Sequence, residues 1–291
     1  MRPDLSILKS RLGGSRLVTR YAPSPTGYLH LGHVVNAIYV WGIARALQGQ
    51  VLLRIEDHDR IRCRPAFEAA LLEDLDWLGF EADTGREPVV RQSDRDARYA
   101  GALEQLRATS HVYACACSRR DIGGERYANT CRHANVDDRP SRGLRVEIDP
   151  GQETFDDALL GPVHQSPASE NGDLLLRDRD GHWTYQFAVT VDDLEDGITL
   201  VIRGADLISS TGRQMRLARM LGRTTPPVFL HHPLILKRSG EKLSKASGDT
   251  SVRELRAAGC SAAEVIGRAA AAVGLVEAPR PIAAHAVNGL F

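Results

Sequence analysis

RYAPSPTGYLHLGH, residues 20–33, is the stretch that decides the fold of this chain, and the apolar run VVNAIYVWGIARAL follows it directly. Prolines and glycines mark loops, whereas apolar residues at helical spacing predict a helix. We therefore expect the end of a strand, a tight loop and the first turn of a helix. Backbone N–H groups at the start of a helix attract anions, phosphates above all. The segment is thus predicted to hold a phosphate group.

The composition is typical of a globular protein, since 43% of the 291 residues are hydrophobic and 25% are charged. The formal net charge is zero, which neither indicates nor excludes a nucleic-acid partner, because a local basic face can lie opposite an acidic one. No apolar run approaches the roughly 20 residues that span a bilayer, and the N-terminus lacks the apolar core of a signal peptide. We expect a cytoplasmic protein with no membrane partner, acting as a monomer.

The distribution of lysine points to a second segment. The chain has 37 lysines and arginines, but the only lysines are Lys9, Lys237, Lys242 and Lys245. Two of them belong to the loop sequence KLSKAS, residues 242–247, which follows the apolar PLIL. Ammonium groups on such a loop can neutralise charge as pyrophosphate leaves. Taken alone, the loop also fits a solvated surface segment.

The order of the predicted elements indicates an α/β fold. QVLLRIEDHD (residues 50–59) predicts a strand with an acidic end, and helices are expected over residues 66–80, 96–109 and 212–222. Residues 183–207 read as strands with acidic turns, and the tail after Val252 as alanine-rich helix. Between residues 111 and 181 the sequence changes to short polar segments that contain cysteine and glycine. We therefore expect a split nucleotide-binding core, with the division 1–110, 111–181, 182–250 and 251–291.

The sequence His30-Leu31-Gly32-His33 lies at the predicted helix start. Gly32 would let a nucleotide approach the backbone, and the two histidines flank it. The alternative for an isolated motif of this kind is a polar helix cap.

Together, the histidine motif and the lysine loop resemble the paired signatures of the class I aminoacyl-tRNA synthetases. Four segments in the same order resemble glutamyl-tRNA synthetase and span most of residues 18–250: RYAPSPTGYLHLGH, LLRIEDHD, YQFAVTVDDLEDGITLVIRGADL and HHPLILKRSGEKLSK. Leu31 and Leu243 replace the isoleucine and methionine of the family's signatures, and Ala246 departs from the second signature. The resemblance implies a Rossmann-like parallel-sheet core, split by an inserted zinc-containing α+β domain and followed by a short helical tail.

The resemblance also implies the roles of individual residues, with ATP and its Mg²⁺ as substrate. The residues implied in glutamate binding are Arg20, Tyr21, Ala22, Pro23, Ser24, Glu56, Tyr185 and Arg203. The residues implied in ATP binding are His30, Gly32, His33, Lys242 and Lys245, of which His30, His33 and Lys245 are implied in catalysis. The charges of these residues agree with glutamate as the ligand: Arg20 and Arg203 can pair with its acidic side chain, and Glu56 can balance its ammonium group. The alternative for each charged residue is a structural salt bridge. Asp192 and Asp193 would sit in an acidic turn, where ribose or metal binding is one option.

Three of the five cysteines are crowded into CACSRRDIGGERYANTC, residues 115–131. Thiolates with this spacing, Cys115, Cys117 and Cys131, predict one structural zinc ion with a fourth ligand nearby. Spacing alone favours His133 as that ligand, whereas the resemblance implies Tyr127. Free buried thiols are the alternative, and Cys63 and Cys260 are interpreted as structural.

The segment after the lysine loop, residues 248–291, is too short for the anticodon-reading domains of a full glutamyl-tRNA synthetase. The chain therefore resembles the family of glutamyl-queuosine tRNA(Asp) synthetases, which implies activation of L-glutamate with ATP and its transfer to the queuosine base of tRNA(Asp). The alternatives are a minimal glutamyl-tRNA synthetase that charges the acceptor end of tRNA(Glu), and an inactive RNA-binding paralogue. Arginines 119, 120, 126 and 132 are candidate contacts for RNA phosphates, or a solvated basic face.

Overall fold

The computed structural model describes residues 2–124, 126–235 and 250–291. The α-helices are α1 (Leu5–Arg11), α2 (Leu31–Ala46), α3 (Pro65–Leu78), α4 (Asp96–Thr109), α5 (Arg119–Ile122), α6 (Pro167–Glu170), α7 (Tyr185–Glu195), α8 (Thr211–Met220), α9 (Val252–Ala257) and α10 (Ala262–Ala272). The strands are β1 (Val18–Tyr21), β2 (Gln50–Ile55), β3 (Val90–Arg91), β4 (Val112–Cys115), β5 (Gly143–Val146), β6 (Glu153–Asp157), β7 (Gly161–Gln165), β8 (Leu174–Arg177), β9 (Leu200–Gly204) and β10 (Val228–His232). Short 3-10 helices cover Gln92–Asp94, Ala205–Ser210 and Ala284–Leu290.

A parallel sheet forms the core, as the alternation of strands and helices predicts. β1 pairs with β2, β2 with β3, and β9 with β10, all in parallel. The Thr199 amide donates to the carbonyl oxygen of Val18 at 3.0 Å, which brings β9 beside β1. The carboxyl ends of parallel strands share one edge, where ligands bind in open α/β sheets. Arg20, Glu56 and Arg203 lie at or next to such ends, although they are far apart in sequence.

Helix α2 is buried on nearly all sides, in keeping with its continuous apolar sequence. One side packs on the sheet and another on the C-terminal 3-10 helix and α10. A Cβ atom at Gly42 would lie 2.3 Å from the Phe291 ring, so the absence of a side chain there allows the C-terminus to pack against the helix. The helix start, which faces the sheet edge, is thereby held firmly in place.

The region between β4 and β8 contains two antiparallel units. β4, β5 and β8 form a three-stranded sheet, whereas β6 and β7 form a hairpin. This hairpin packs on β10 of the parallel sheet, since the Ala158 amide donates to the carbonyl oxygen of Phe229 at 2.9 Å, and the rings of Phe155 and Phe229 lie 5.3 Å apart. Part of the region predicted as an insert therefore packs against the parallel sheet.

The prediction of strands and acidic turns over residues 183–207 is wrong for its first half. Residues Tyr185–Glu195 form helix α7, and only Leu200–Gly204 is a strand. The β-branched and aromatic residues of this segment favour strands as isolated residues. In the fold they bury one face of a helix against α4 and α8, and this burial overrides the local preference.

The C-terminal tail is helical, as expected, but it is not one helix. Gly259 adopts a left-handed conformation with φ of 86° and separates α9 from α10. Each helix begins with a capping box, in which Ser251 pairs with Glu254 and Ser261 with Glu264. None of the helices in the described ranges combines the length and apolarity needed to cross a bilayer.

Candidate active site and cysteine cluster

A cavity of about 600 Å³ opens at the carboxyl edge of the parallel sheet. Its lining includes every described residue that the sequence assigned to glutamate or ATP: Arg20, Tyr21, Ala22, Pro23, Ser24, His30, Gly32, His33, Glu56, Tyr185 and Arg203. The structure thus brings two separately predicted sets of residues into one space. The volume suits a small amino acid and a nucleotide together.

The two histidines close the start of helix α2. His30 is the N-cap residue and its Nδ1 accepts the Gly32 amide at 3.1 Å, while Nδ1 of His33 accepts the His30 amide at 3.1 Å. The ring of His30 folds so closely over Gly32 that a Cβ atom there would lie 2.9 Å from it. The polar-cap alternative therefore describes part of what these residues do. Because Nδ1 accepts in both rings, a neutral ring carries its proton on Nε2, which suits hydrogen bonding to a phosphate.

The predicted lysine loop lies outside the described residues, and with it Lys237, Lys242, Lys245 and Ala246. Both of its flanks lie at the cavity. Ile235 lines it, and Ser251 forms a β-bridge with His30. The described residues on the two sides of the loop therefore lie at the cavity and next to the histidine motif.

Arg54 joins Glu56, which lines the pocket, to Asp193, which lies outside the lining. Its side chain is fully buried, and Nη2 donates to Glu56 at 3.0 Å and to Asp193 at 2.8 Å. Asp193 in turn accepts from Nε of Arg20 at 3.0 Å. Although burial alone would raise the pKa of Asp193, the charges of Arg20 and Arg54 lower it. The resulting chain of ion pairs fixes the orientation of both residues assigned to glutamate, Arg20 and Glu56.

Asp192 and Asp193 are not part of an acidic turn. Both are buried on helix α7, where Asp192 accepts from Nη1 of Arg95 at 2.6 Å and from the Tyr99 hydroxyl at 2.9 Å. Arginine side chains and a phenol therefore satisfy these carboxylates inside the protein, which favours a structural role over ribose or metal binding.

Arg203 is held by three side chains behind the pocket. Its Nη1 donates to Gln214 at 2.7 Å, its Nη2 to Thr211 at 2.8 Å and its Nε to Nε2 of His231 at 3.1 Å. The other ring nitrogen of His231 lies 2.7 Å from a carboxylate oxygen of Asp157, on the β6–β7 hairpin. A proton on Nδ1 pairs with Asp157 and leaves Nε2 as the acceptor for Arg203. Burial lowers the pKa of His231, although Asp157 opposes the shift, so the ring is neutral near pH 7.

The cavity also contains polar residues that the sequence did not single out. His58, Asn36, Asp206 and His232 line it. The ring of His232 stacks on Tyr39, its Nε2 lies 3.1 Å from the Asn36 amide nitrogen, and burial lowers its pKa to about 4. Both histidines stand in quoted motif segments, LLRIEDHD and HHPLIL, so their place at strand ends was the signal that could have identified them.

The three predicted cysteines come together with Tyr127. Their Sγ atoms lie within 4.8 Å of one another, and the Tyr127 hydroxyl lies 3.5 Å from Sγ of Cys115. His133 is exposed and its ring centroid lies 6.1 Å from that of His111. Three thiols and a phenol converging on one point fit a tetrahedral zinc ion, and Tyr127 is the fourth group that the structure brings to them.

Arg145 supports two of these groups. Its Nε donates to Sγ of Cys115 at 3.3 Å and its guanidinium lies 3.7 Å from the centre of the Tyr127 ring. Of the arginines suggested as RNA contacts, Arg132 is engaged by Asp173 at 2.6 Å, whereas Arg119 and Arg120 are exposed.

Comparison with known proteins agrees with this architecture. Residues 16–266 match the family described as the catalytic domain of class I tRNA synthetases (E and Q). The Glutamyl-Q tRNA(Asp) synthetase of Xanthomonas axonopodis pv. citri is 46% identical over 227 residues, which cover 78% of this chain and 74% of the relative. The protein of the same name from Nitratidesulfovibrio vulgaris is 39% identical, over 88% of this chain and 86% of its own length.

The fold is similar to that of a solved synthetase as well. The crystal structure of glutamate-tRNA synthetase from Elizabethkingia anophelis superposes with a TM-score of 0.79 at 26% identity. The match covers 95% of this chain but only 66% of the longer protein. The described chain thus has the α/β fold of a class I synthetase and spans about two thirds of that relative.

Proposed function

The chain belongs to the family of class I tRNA synthetase catalytic domains for glutamate and glutamine (E and Q), and on that premise we propose that it activates L-glutamate with ATP and transfers it to the queuosine base of tRNA(Asp). The observation that carries the proposal is the charge pattern of the cavity. The charged residues of the lining that are also buried are two arginines, Arg20 and Arg203, and one carboxylate, Glu56, and this set complements a substrate with two carboxylates and one ammonium group. The names of the relatives support the choice of acceptor.

In the first step, an oxygen of the glutamate α-carboxylate attacks the α-phosphorus of ATP. The new O–P bond forms as the bond to the β-phosphate breaks, so glutamyl-adenylate and pyrophosphate result. No protein nucleophile is required, because positioning and charge neutralisation are enough for this class of transfer. A hydroxyl of the modified base then attacks the activated carbonyl and releases AMP.

We assign the remaining roles by the same chemistry. His30 and His33 hydrogen-bond the phosphates through Nε2, and the absence of a side chain at Gly32 leaves room for the His30 ring that folds over it. Lys242 and Lys245, outside the described residues, would neutralise the leaving pyrophosphate together with the Mg²⁺ of ATP. Tyr21, Ala22, Pro23, Ser24 and Tyr185 complete the wall around glutamate.

The decisive experiment uses purified enzyme with ATP, glutamate and labelled pyrophosphate, first without RNA. We expect exchange of label into ATP without RNA, because Arg20, Glu56 and Arg203 are already held in place by protein groups. Queuosine-containing tRNA(Asp), queuosine-lacking tRNA(Asp) and tRNA(Glu) are then offered with labelled glutamate. Label on queuosine-containing tRNA(Asp) alone supports the proposal. Label at the acceptor end of tRNA(Glu) would identify a minimal glutamyl-tRNA synthetase, and no exchange at all an inactive paralogue.

For the cysteine cluster, we propose one structural zinc ion bound by Cys115, Cys117, Cys131 and Tyr127, which stabilises residues 111–181 as the inserted unit. Elemental analysis of the purified protein should give about one zinc per chain, and the double variant Cys115→Ser/Cys117→Ser should give none. The matched control is Cys63→Ser/Cys260→Ser, which removes two cysteines elsewhere and should keep the metal. Full occupancy in the first variant would refute the ligand set.

A further inference from the structure

A second cavity, of about 410 Å³, lies in the inserted region. The loop before β5 and the turn after β8 form its walls and contribute Arg139, Arg142, Arg177 and Arg179, against the two acidic residues Asp138 and Asp180. We call it the arginine cavity. None of these residues belongs to the glutamate pocket or to the cysteine cluster.

The arginines of this cavity are only partly paired: Nε of Arg139 lies 3.1 Å from a carboxylate oxygen of Asp137. Nε of Arg142 lies 3.9 Å from the nearest carboxylate, that of Asp137, which is beyond hydrogen-bond distance. The buried Nε atoms of Arg142 and Arg177 have no hydrogen-bond partner within the described chain. Asp138 on the rim is turned to another arginine, Arg107, at 2.9 Å. Four arginines thus face Asp180, Asp138 and the neighbouring Asp137, and the protein neutralises their positive charge only in part. Arg132 nearby is different, because Asp173 holds it at 2.6 Å.

The arginine cavity is linked to the active site by a smaller hollow of about 160 Å³. This hollow shares Gly181 with the arginine cavity and His58 with the glutamate cavity. Arg60 and Asp96 also line it, and Nη2 of Arg60 donates to the Ser93 carbonyl oxygen at 3.2 Å and lies 3.4 Å from Asp96. The hollow therefore adjoins both cavities and brings one further arginine between the glutamate pocket and the inserted region.

We propose that the arginine cavity binds a backbone phosphate of the RNA substrate, at a distance from the nucleotide that receives glutamate. Guanidinium groups match phosphate oxygens in geometry and charge, and backbone contacts fix the register of an RNA on a protein without reading its sequence. The proposal rests on the proposed function for the identity of the RNA. It adds a contact that positions the RNA outside the glutamate pocket, in the arginine cavity.

The test compares two double variants that each remove two exposed positive charges. Arg139→Gln/Arg179→Gln alters the cavity, and Arg268→Gln/Arg280→Gln alters the C-terminal segment as the matched control. Filter binding gives the dissociation constant for queuosine-containing tRNA(Asp) at several salt concentrations. We expect roughly tenfold weaker binding for the cavity variant only, with a salt slope lower by about one per lost contact. Pyrophosphate exchange without RNA should be unchanged in both variants, which shows that the glutamate pocket is intact.

Equal tRNA affinity and equal salt slope in the two variants would overturn the proposal. Calorimetry with inorganic pyrophosphate tests whether the cavity binds a free anion instead of an RNA phosphate. If only the cavity variant loses pyrophosphate binding while its tRNA binding is unchanged, the cavity is a small-anion site and the proposal is refuted. If the parent enzyme glutamylates tRNA(Glu) instead, the proposed function fails. The same comparison on tRNA(Glu) then decides the role of the cavity independently.

Discussion

The glutamate pocket and the arginine cavity use the same side chain in opposite ways. In the pocket, Arg20, Arg54 and Arg203 are between 0 and 4% exposed, and each is hydrogen-bonded to protein groups from other elements. In the cavity, the side chain of Arg139 is 59% exposed and that of Arg142 is 21% exposed, and both face the same carboxylate, that of Asp137, at 3.1 and 3.9 Å.

This difference corresponds to two kinds of ligand. A small amino acid has few groups, so its site gains most from side chains that are already oriented before binding. A polyanion offers many equivalent phosphates, and exposed arginines can adapt to them. The two proposals therefore predict that the degree to which the protein holds an arginine distinguishes the substrate pocket from the RNA contact in this lysine-poor chain.

Removing the most deeply held arginine should have the largest effect. Arg54→Met removes the cation shared by the buried Glu56 and Asp193 and by the partly buried Asp196, and breaking such a network typically costs about 3–5 kcal/mol. Urea unfolding should show this loss in the free energy of unfolding, whereas Arg139→Gln should stay within about 0.5 kcal/mol of the parent. Equal effects of the two substitutions would remove the distinction between pocket and cavity.

The stability of the parent and of Arg54→Met can also be compared as a function of pH. The pKa of Asp193 is lowered in the fold, so its contribution to stability is present above the unfolded value of about 3.9 and is lost as the pH falls through the native value. The difference in stability between parent and Arg54→Met should therefore shrink as the pH falls below about 4. A difference that stays constant in acid would mean that ion pairing does not stabilise this network.

Lys245 provides a third kind of cation, predicted from sequence and outside the described residues. Lys245→Ala should lower the rate of glutamate activation by roughly 10²–10³-fold, because a charge contact with the leaving pyrophosphate acts mainly in the transition state. The KM for glutamate should change little. Lys9→Ala, far away in sequence on α1, is the matched control. A Lys245→Ala rate within about twofold of the parent would refute the assignment.

The sequence predicted the parts of the fold that depend on local pattern. The apolar run after His33 became helix α2, residues 96–109 became helix α4, and the motif residues before and after them met at one sheet edge. Spacing alone favoured His133 as the fourth partner of the cysteines, whereas the family resemblance implied Tyr127, whose hydroxyl lies 3.5 Å from Sγ of Cys115.

What the sequence could not supply are relations between distant segments. Tyr185–Glu195 was wrongly predicted as a strand, because its β-branched residues favour strands locally and the sequence does not show that α4 and α8 bury this segment as a helix. Arg54 was not selected, since its importance comes from carboxylates of helix α7, more than 130 residues later. His231 was quoted within a motif, yet its pairing with Asp157 depends on a hairpin from the inserted region. Long-range pairing of charges is invisible to periodicity.

The smallest effect is expected at His231, which touches no substrate and acts by positioning Arg203. His231→Asn keeps a donor for Asp157 but loses the acceptor that Nε2 offers to Arg203, whereas His231→Gln places an amide oxygen near that position. A hydrogen bond to a charged group contributes about 1.5–3 kcal/mol, so the KM for glutamate in pyrophosphate exchange should rise roughly tenfold in the Asn variant, with little change in kcat. The Gln variant should lie closer to the parent.

The pH dependence separates this positioning role from a purely structural one. Because the pKa of His231 is lowered in the fold, the ring stays neutral below the ordinary value of about 6.5 and keeps accepting from Arg203. The parent KM for glutamate should therefore stay flat through pH 6.5 and rise only in more acidic solution, when protonation turns Nε2 from an acceptor into a donor facing the guanidinium. In His231→Gln that acid-dependent rise should be absent. If both variants keep the parent's pH profile and differ from it only in thermal stability, His231 supports the fold and not the orientation of Arg203.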